Sequence, residues 1–271
     1  MEYEFDTPEK GTYHSGHHRL SSSGAKEILK SPAHFMMRYG PNARRTPPTA
    51  AMRFGTAVHT LVLEGEEAFK DTVLCRPDGL NTRTKAGKAE LEAMLEAHPN
   101  ISKGMVFSTE DYDAMFWMRD AVYEHPMASD ILSEGLPEYY YEWTDPGTSA
   151  KCKALADWYA PHCIADLKTC IDASPEGFAK AVFNFNYHLS AEFYRSGDEV
   201  LNEGEIKNWY WIAVEKHTFQ VAVYTPDEVA ERIGRGKVRE ALKRFAVCHA
   251  ENRWDSYSKD IQELISPRWA R

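Results

Sequence analysis

Two aspartates and a lysine interrupt the segment ALADWYAPHCIADLKTC (154–170), which otherwise reads as apolar strand. A Pro-His turn separates Asp157 from Asp166, and Lys168 follows two positions after Asp166. Side chains alternate between the two faces of a strand, so Asp166 and Lys168 share one face and Leu167 points to the other. The turn brings Asp157 alongside Asp166. Two neighbouring carboxylates are costly to bury without a compensating positive charge.

A divalent cation removes that cost. Mg²⁺ is usually bound through one or two carboxylates, waters and substrate phosphates, and the Leu167 carbonyl is a natural further ligand. Beside such a cation, Lys168 would orient or deprotonate a water, or neutralise charge on a phosphate. The pattern therefore predicts a metal-dependent phosphodiesterase with Lys168, Asp166 and Asp157 as catalytic residues. The alternative is a surface ion pair, because Asp-x-Lys also occurs by chance.

Three other side chains have both a functional and a structural interpretation. His59, in RFGTAVHTLVLE, lies at the edge of an apolar helical stripe and is either a core-edge histidine or a third metal ligand. Tyr187 and Tyr194 are seven residues apart on one helix face. They are either a core pair or contacts for phosphates and nucleotide bases.

The hydrophobic period changes along the chain. Up to about residue 135 the patterns are helical, and the order from there is strand, strand, strand, helix, strand, strand, helix. This order predicts a mixed α/β core (about 136–250) with a mixed central sheet flanked by helices, packed on a helical N-terminal region (about 13–135). No linker or repeat divides the chain, so we predict one domain, 1–271.

Composition excludes several classes of protein. The N-terminus is polar and acidic, no run is long enough to span a membrane, and five cysteines form no CxxC pair. We therefore expect a reduced, cytoplasmic protein with no membrane association. The net charge of −9 argues against a nucleic-acid partner, but basic residues cluster locally, as in NARRTPPTAAMRFG (42–55) and RIGRGKVREALKR (232–244).

The motifs resemble a known family. A histidine in a GTAVH helix, then Asp157, then Asp166-Leu167-Lys168-Thr169, then a helix with YHLSAEFY, resemble the PD-(D/E)xK nuclease superfamily. Within it the chain is most similar to RecE-type exonucleases (exonuclease VIII) and their prophage relatives, through LSSSGAKEILKSPAHF, RTKAGKAE and a late VAVY strand. The resemblance covers about residues 13–245.

The resemblance implies a restriction-endonuclease-like fold and a function. Its members degrade linear double-stranded DNA 5′→3′ with Mg²⁺, for which Mn²⁺ can substitute, and leave a 3′ single strand for a RecT-type annealing protein in phage recombination. It implies that His59, Asp157, Asp166 and the Leu167 carbonyl bind the metal and that Lys168 is the catalytic lysine. It also implies a homo-oligomeric ring, a tetramer rather than a trimer. In such a ring we expect Arg235, Lys237 and Arg239 to line the lumen.

The chain departs from the family at two positions that would contact DNA. Leu155 stands where relatives often have a basic residue, for which Lys153 would substitute, and Ser190 stands where they often have glutamine. By similarity to viral alkaline exonucleases, Arg19, Ser21 and Ser23 would hold a 5′ phosphate, although ordinary helix capping explains the serines equally well. The predicted DNA-binding set is Arg19, Ser21, Ser23, Arg53, Lys153, Tyr187 and Tyr194.

Three functions remain distinguishable. The first is the 5′→3′ double-strand exonuclease. The second is a related nuclease of other polarity, or an iron–sulfur nuclease, against which the lack of a cysteine cluster weighs. The third is a catalytically inactive module that binds DNA ends, against which the intact His59, Asp157, Asp166 and Lys168 argue.

Overall fold

The structure is a computed structural model that describes residues 18–43 and 46–267. The remaining parts of the predicted 1–271 domain, including residues 13–17 of the helical region and Arg44 and Arg45 of the first basic cluster, lie outside the described residues. The described part has the mixed α/β architecture that the sequence predicts.

The N-terminal region is mainly helical, but it also contains a small parallel sheet of two three-residue strands that the sequence did not predict. Strands this short give no readable alternation of apolar and polar residues. A five-residue π-helical segment, Thr60–Glu64, follows the third helix directly. The elements are α1 (Ser22–Lys30), α2 (Pro32–Tyr39), α3 (Ala50–His59), α4 (Glu66–Thr72), β1 (Leu74–Arg76), α5 (Lys85–Ala97), β2 (Val106–Ser108), α6 (Thr109–Glu124) and α7 (Pro126–Ile131).

The second region contains a five-stranded sheet whose strands lie in chain order. Adjacent strands are antiparallel, except that the third and fourth strands of the sheet are parallel. The parallel pair needs a crossover, which two helices provide. The elements are β3 (Leu136–Thr144), β4 (Lys151–Tyr159), β5 (Cys163–Cys170), α8 (Pro175–Asn184), α9 (Tyr187–Leu201), β6 (Asn208–Glu215), β7 (Val221–Tyr224) and α10 (Glu228–Glu251).

The crossover differs from the sequence prediction in one respect. The segment from Ser174 to Gly197 was expected to be one helix, whereas the structure divides it into α8 and α9 at Phe185 and Asn186. Asn186 adopts the left-handed conformation, with φ 53°. Asparagine tolerates this conformation better than most residues, so the chain can turn here without a glycine or proline that would mark the break.

The sheet separates two hydrophobic cores, one on each face. The first core packs α1, α9 and α10 against the sheet and contains Ile28, Phe193 and Phe245. The second lies beneath α3, the π-helical segment and α6, and contains Leu61 and Met118. Along β5, Ile164 belongs to the first core, whereas Ala165 and Leu167 belong to the second. The even-numbered residues of β5, Asp166 and Lys168 among them, therefore face the layer of α1 and α9.

Candidate active site

The site opens where β4 and β5 separate. Their ladder has only two residue pairs, Trp158↔Ala165 and Tyr159↔Ile164. If the register continued, Asp157 would pair with Asp166. Instead the Leu167 N–H donates a 3.0 Å hydrogen bond to Oδ2 of Asp157, so this carboxylate replaces the ladder bond. Further along the same edge of β4, the backbone of Leu20 bridges to Cys152, just before α1 begins. The gap between these two contacts is the opening of the site.

Lys168 lies at the centre of the predicted metal ligands. Its Nζ is 2.6 Å from Oδ1 of Asp166 and 3.8 Å from Oδ2 of Asp157. It also donates a 3.3 Å hydrogen bond to the Leu167 carbonyl. One ammonium group thus neutralises the two carboxylates whose burial raised the question of a cation. The geometry agrees with the expected alternation, because Leu167 packs into the second core while its neighbours face the site.

His59 reaches the site from the opposite layer. It is the last residue of α3, and its Nδ1 lies 3.4 Å from Oδ2 of Asp157. One turn earlier is Gly55, which faces β5: an added Cβ would lie 3.4 Å from Oγ1 of Thr169, an ordinary van der Waals contact. The π-helical segment begins at the next residue, and such widened turns are common at functional sites.

Glu138 is a site residue that sequence reasoning missed. In the β3–β4 register it would pair with Asp157, but the ladder is interrupted between Pro137↔Trp158 and Tyr139↔Ala156. Glu138 has a φ of 49°, a conformation that non-glycine residues rarely adopt outside turns and functional sites. Its carboxylate, the His59 imidazole and the Asp157 carboxylate each place one ligand atom within 4.8 Å of the others.

The signal for Glu138 was weak but present in the sequence. A hairpin folded about the turn at 145–150 brings residue 138 opposite residue 157, and a glutamate facing an aspartate across two strands needs a reason. The left-handed backbone at this position has no sequence signature. The interruption also changes which face of the sheet the side chains of β4 point to. Ala156 belongs to the first core and Trp158 to the second, although residues two apart in a regular strand share one face.

Burial and neighbouring charges shift the pKa values of the site residues. Burial raises the pKa of Asp166 to about 6, although Lys168 opposes the shift. Burial by itself would lower the pKa of Lys168, but the carboxylates of Asp166 and Asp157 outweigh it, and the net pKa is raised. Burial lowers the pKa of His59 despite Asp157, so the imidazole is neutral at pH 7, the form that binds metals.

The donor set fits a divalent cation. The His59 imidazole and the carboxylates of Glu138 and Asp157 cluster at ligand distance. The Asp166 carboxylate and the Leu167 carbonyl lie beside them, and both contact the Lys168 ammonium. Oxygen-rich sets with an imidazole suit hard or borderline ions of the Mg²⁺ and Mn²⁺ kind. The buried negative charge of the set also needs a positive charge, which Lys168 supplies in part. The residues therefore form a possible metal site.

Two of the residues predicted to bind DNA lie near the site opening and have partners within the protein. Arg19 pairs with Glu142 on β3 at 2.7 Å. Lys153 on β4 is buried, and its pKa is lowered by burial and by Arg19. Both cations therefore belong to one charged cluster around Glu142.

The serines of the α1 segment have different environments. Ser21 is buried and caps α1, accepting a 3.1 Å hydrogen bond from the Gly24 N–H, as helix capping predicts. Ser23 is exposed. Neither position tests the predicted phosphate contact, which stays a prediction.

The remaining three residues predicted to contact DNA lie in three different environments. Tyr187 lies at the site, with Nζ of Lys168 5.4 Å and Nζ of Lys26 5.5 Å from its ring centre. Tyr194 packs in the first core, stacked on Trp209 with ring centres 5.6 Å apart. Arg53 donates a 2.6 Å hydrogen bond to the carbonyl of Pro48, at the start of α3.

The basic residues of α10 are also paired within the protein. Arg235 contacts Glu192 and Glu231, and Arg239 pairs with the buried Asp145. Lys237 donates to the side-chain oxygen of Asn186.

All five cysteines are free thiols. Within residues 18–43 and 46–267, no helix has the length and apolar character needed to cross a membrane.

The mixed α/β fold, with an aspartate on one strand and Asp-x-Lys on the next, agrees with the expected PD-(D/E)xK nuclease superfamily. The family model for a PDDEXK-like domain of unknown function (DUF3799) matches residues 21–267. The chain belongs to this family.

One solved structure agrees with this chain on the fold. A crystal structure from Eubacterium rectale described as “Putative exonuclease” superposes with a TM-score of 0.63, covers 97% of both chains and is 13% identical. At that identity the likeness concerns the fold alone. A second solved structure gives a TM-score of 0.25 and 13% identity over 59% of this chain and 69% of that one. No curated protein matches the chain significantly.

Proposed function

We propose that this protein is a Mg²⁺-dependent exonuclease that degrades linear double-stranded DNA from 5′ ends and leaves 3′ single-stranded tails for recombination by strand annealing. The observation that carries the hydrolytic part is the position of the Lys168 ammonium, within 4 Å of two carboxylates and a backbone carbonyl at the split between β4 and β5. The polarity and the substrate rest on the resemblance to RecE-type exonucleases.

Each side chain has a role in this chemistry. His59, Asp157, Asp166 and the Leu167 carbonyl would hold the cation, with Mn²⁺ as a substitute for Mg²⁺. When bound, a divalent cation supplies Lewis-acid polarisation of the scissile phosphate. The Lys168 ammonium neutralises negative charge on the phosphate oxygens as it develops. The Leu167 N–H fixes one oxygen of Asp157, so this carboxylate keeps its orientation.

The test is digestion of linear duplex DNA labelled at the 5′ or the 3′ end, in Mg²⁺ and in EDTA. We expect Mg²⁺-dependent release of the 5′ label as mononucleotide, no loss from closed circular DNA, and no release by Lys168→Ala. Lys70→Ala is the matched control, because that lysine is exposed and pairs with Glu66 on α4. Release of the 3′ label would reverse the polarity. Binding to duplex ends without cleavage by the wild type would mean an inactive end-binding module.

A 5′-phosphate contact at Arg19, Ser21 and Ser23 is part of the same proposal. Arg19 would exchange Glu142 for the phosphate, and the α1 N-terminus favours an anion. Arg19→Ala should remove any preference for 5′-phosphorylated over 5′-hydroxyl ends. An unchanged preference would assign the serines to helix capping alone.

The resemblance also supports assembly into a homo-oligomeric ring, a tetramer or a trimer, and transfer of the 3′ strand to a RecT-type annealing protein in the cytoplasm. In the ring, Arg235, Lys237 and Arg239 would line the lumen. Sedimentation equilibrium measures the subunit number, and a monomer at working concentration would remove this part of the proposal. Co-sedimentation with a RecT-type protein tests the partner.

A further inference from the structure

A polar pocket of about 410 Å³ adjoins the candidate active site on the α1 side. It lies between α1, the break that separates α8 from α9, and α10. Its charged and polar side chains come from all three elements, and one aromatic ring stands at its wall. The lining includes Lys26, Lys30, Asn184, Phe185, Asn186 and Lys237.

The pocket carries more positive than negative charge. Three ammonium groups line it, against one carboxylate, that of Glu27. Glu27 is already engaged, at 3.0 Å by Lys30 and at 3.8 Å by Arg38. Lys237 bonds to a neutral amide oxygen, and among the described residues no carboxylate lies within 4.0 Å of Lys26. An anion entering the pocket would therefore meet two ammonium groups whose charge no carboxylate neutralises at short range.

Lys26 connects the pocket to the catalytic residues. It and Lys168 lie against the same Tyr187 ring, at 5.5 and 5.4 Å from its centre. Burial and the charge of Lys168 together lower the pKa of Lys26 to about 8, although Asp166 opposes the shift. The charges of Lys168 and Asp166 therefore act on Lys26, which at the same time lines the pocket. A strand whose phosphate is bound at Lys168 would bring its next phosphate within reach of Lys26.

Phe185 gives the pocket a stacking surface. Its side chain is 61% exposed, which is unusual for an aromatic ring beside a buried core, and its ring centre lies 5.6 Å from that of Tyr187. Phe185 follows the last residue of α8 and directly precedes Asn186, whose left-handed backbone begins the turn into α9. Ammonium groups beside exposed aromatic rings are the combination by which proteins bind single-stranded nucleic acid, through phosphate contacts and base stacking.

We propose that this pocket binds the single-stranded part of the substrate next to the cleaved phosphodiester, with a phosphate at Lys26 and Lys237 and a base stacked on Phe185. The inference rests on the proposed nuclease function, because the strand it guides is the one that reaches Lys168. Duplex DNA keeps its bases stacked inside the helix, so Phe185 has a partner only where the strand is unpaired.

The experiment measures binding without cleavage. Fluorescence anisotropy with a labelled single-stranded oligonucleotide of about ten nucleotides, and with a blunt duplex of the same sequence, is run in EDTA over a salt series. Lys26→Gln should weaken single-strand binding and reduce the slope of log K against log salt by about 0.7. Phe185→Ala should weaken it by about five- to a hundredfold with the slope unchanged, and should affect the duplex far less.

Controls make either outcome informative. Lys180→Gln removes an exposed ammonium on α8, outside the pocket, and should leave the affinity and slope near wild type. Thermal melting checks that each variant is folded. If Lys26→Gln and Phe185→Ala both bind the oligonucleotide like wild type, the pocket inference is wrong, even if wild type degrades DNA. If wild type cleaves nothing but binding depends on these residues, the nuclease proposal fails and the pocket remains a binding site.

Discussion

Glu138 and Asp157 stand opposite each other in the β3–β4 register, at the point where the ladder between the two strands is interrupted. The interruption places both carboxylates beside His59 rather than on a regular sheet face. A glutamate in the left-handed conformation costs about 1 kcal/mol or more, which a structure retains when the position serves another purpose.

Removing the charge of Glu138 should weaken metal binding. We expect Glu138→Gln to reduce Mn²⁺ affinity by about tenfold or more, the scale observed when groups that support metal ligands are lost. Isothermal titration with Mn²⁺ measures the effect. Glu142→Gln is the matched control, because it lies on the same strand and pairs with Arg19. Equal affinities in the two variants would exclude Glu138 from the cation site.

Replacing Lys168 should make folding depend more strongly on the metal. Lys168→Ala leaves the carboxylates of Asp157 and Asp166 without their ammonium partner, and breaking a buried pair in this way costs about 3–5 kcal/mol. We expect a lower Tm in EDTA and a larger rise in Tm on adding Mn²⁺ than in wild type. Differential scanning calorimetry measures both. A rise equal to that of wild type would show that the ammonium and the cation do not compete for the same charge.

Gly234 should tolerate no side chain, because α9 and α10 approach closely there. A Cβ at this position would lie 2.5 Å from the His188 carbonyl oxygen, so Gly234→Ala should destabilise the fold by about 1–3 kcal/mol. Gly236, two residues on, has no atom within 4 Å of its would-be Cβ. Gly236→Ala should therefore stabilise the protein by about 0.5–1 kcal/mol. Urea denaturation of both variants gives the comparison, and similar free energies of unfolding would contradict the close approach.

Ser21 should contribute stability as a helix cap whatever its role toward DNA. Ser21→Ala removes the acceptor of the Gly24 N–H and should cost about 1 kcal/mol. Ser23→Ala is the comparison, because that residue follows the cap and is exposed. Thermal melting of both variants distinguishes them. An identical Tm for the two would mean that the cap bond contributes nothing measurable.

The parts of the site that follow from strand geometry were predictable from the sequence. Asp166 and Lys168 share a face because alternation in a strand is obligatory, and the Pro-His turn brings Asp157 near them. The strand predictions depend on short spacings along one chain segment, which the sequence displays directly. The role of His59 came instead from the motif order of the resemblance.

The parts that depend on local backbone exceptions were not predictable. Glu138 joins the site through a left-handed residue inside a strand, and α8 ends at Phe185 through another at Asn186. Neither position is a glycine, the residue type that would have indicated a left-handed backbone in the sequence. The pairing of Arg19 with Glu142 was not predictable either, because the two residues are more than a hundred positions apart and meet only where the adjacent Leu20 bridges to Cys152 on β4.

The two-pair ladder between β4 and β5 has a consequence for the mechanics of the fold. It joins β3 and β4 to β5, β6 and β7 like a short hinge, and the carboxylates of Asp157 and Asp166 stand on opposite sides of it. Any cation that binds both aspartates would therefore also link one part of the sheet to the other. Occupancy of the site would then add to the rigidity of the fold as well as supply the catalytic ion.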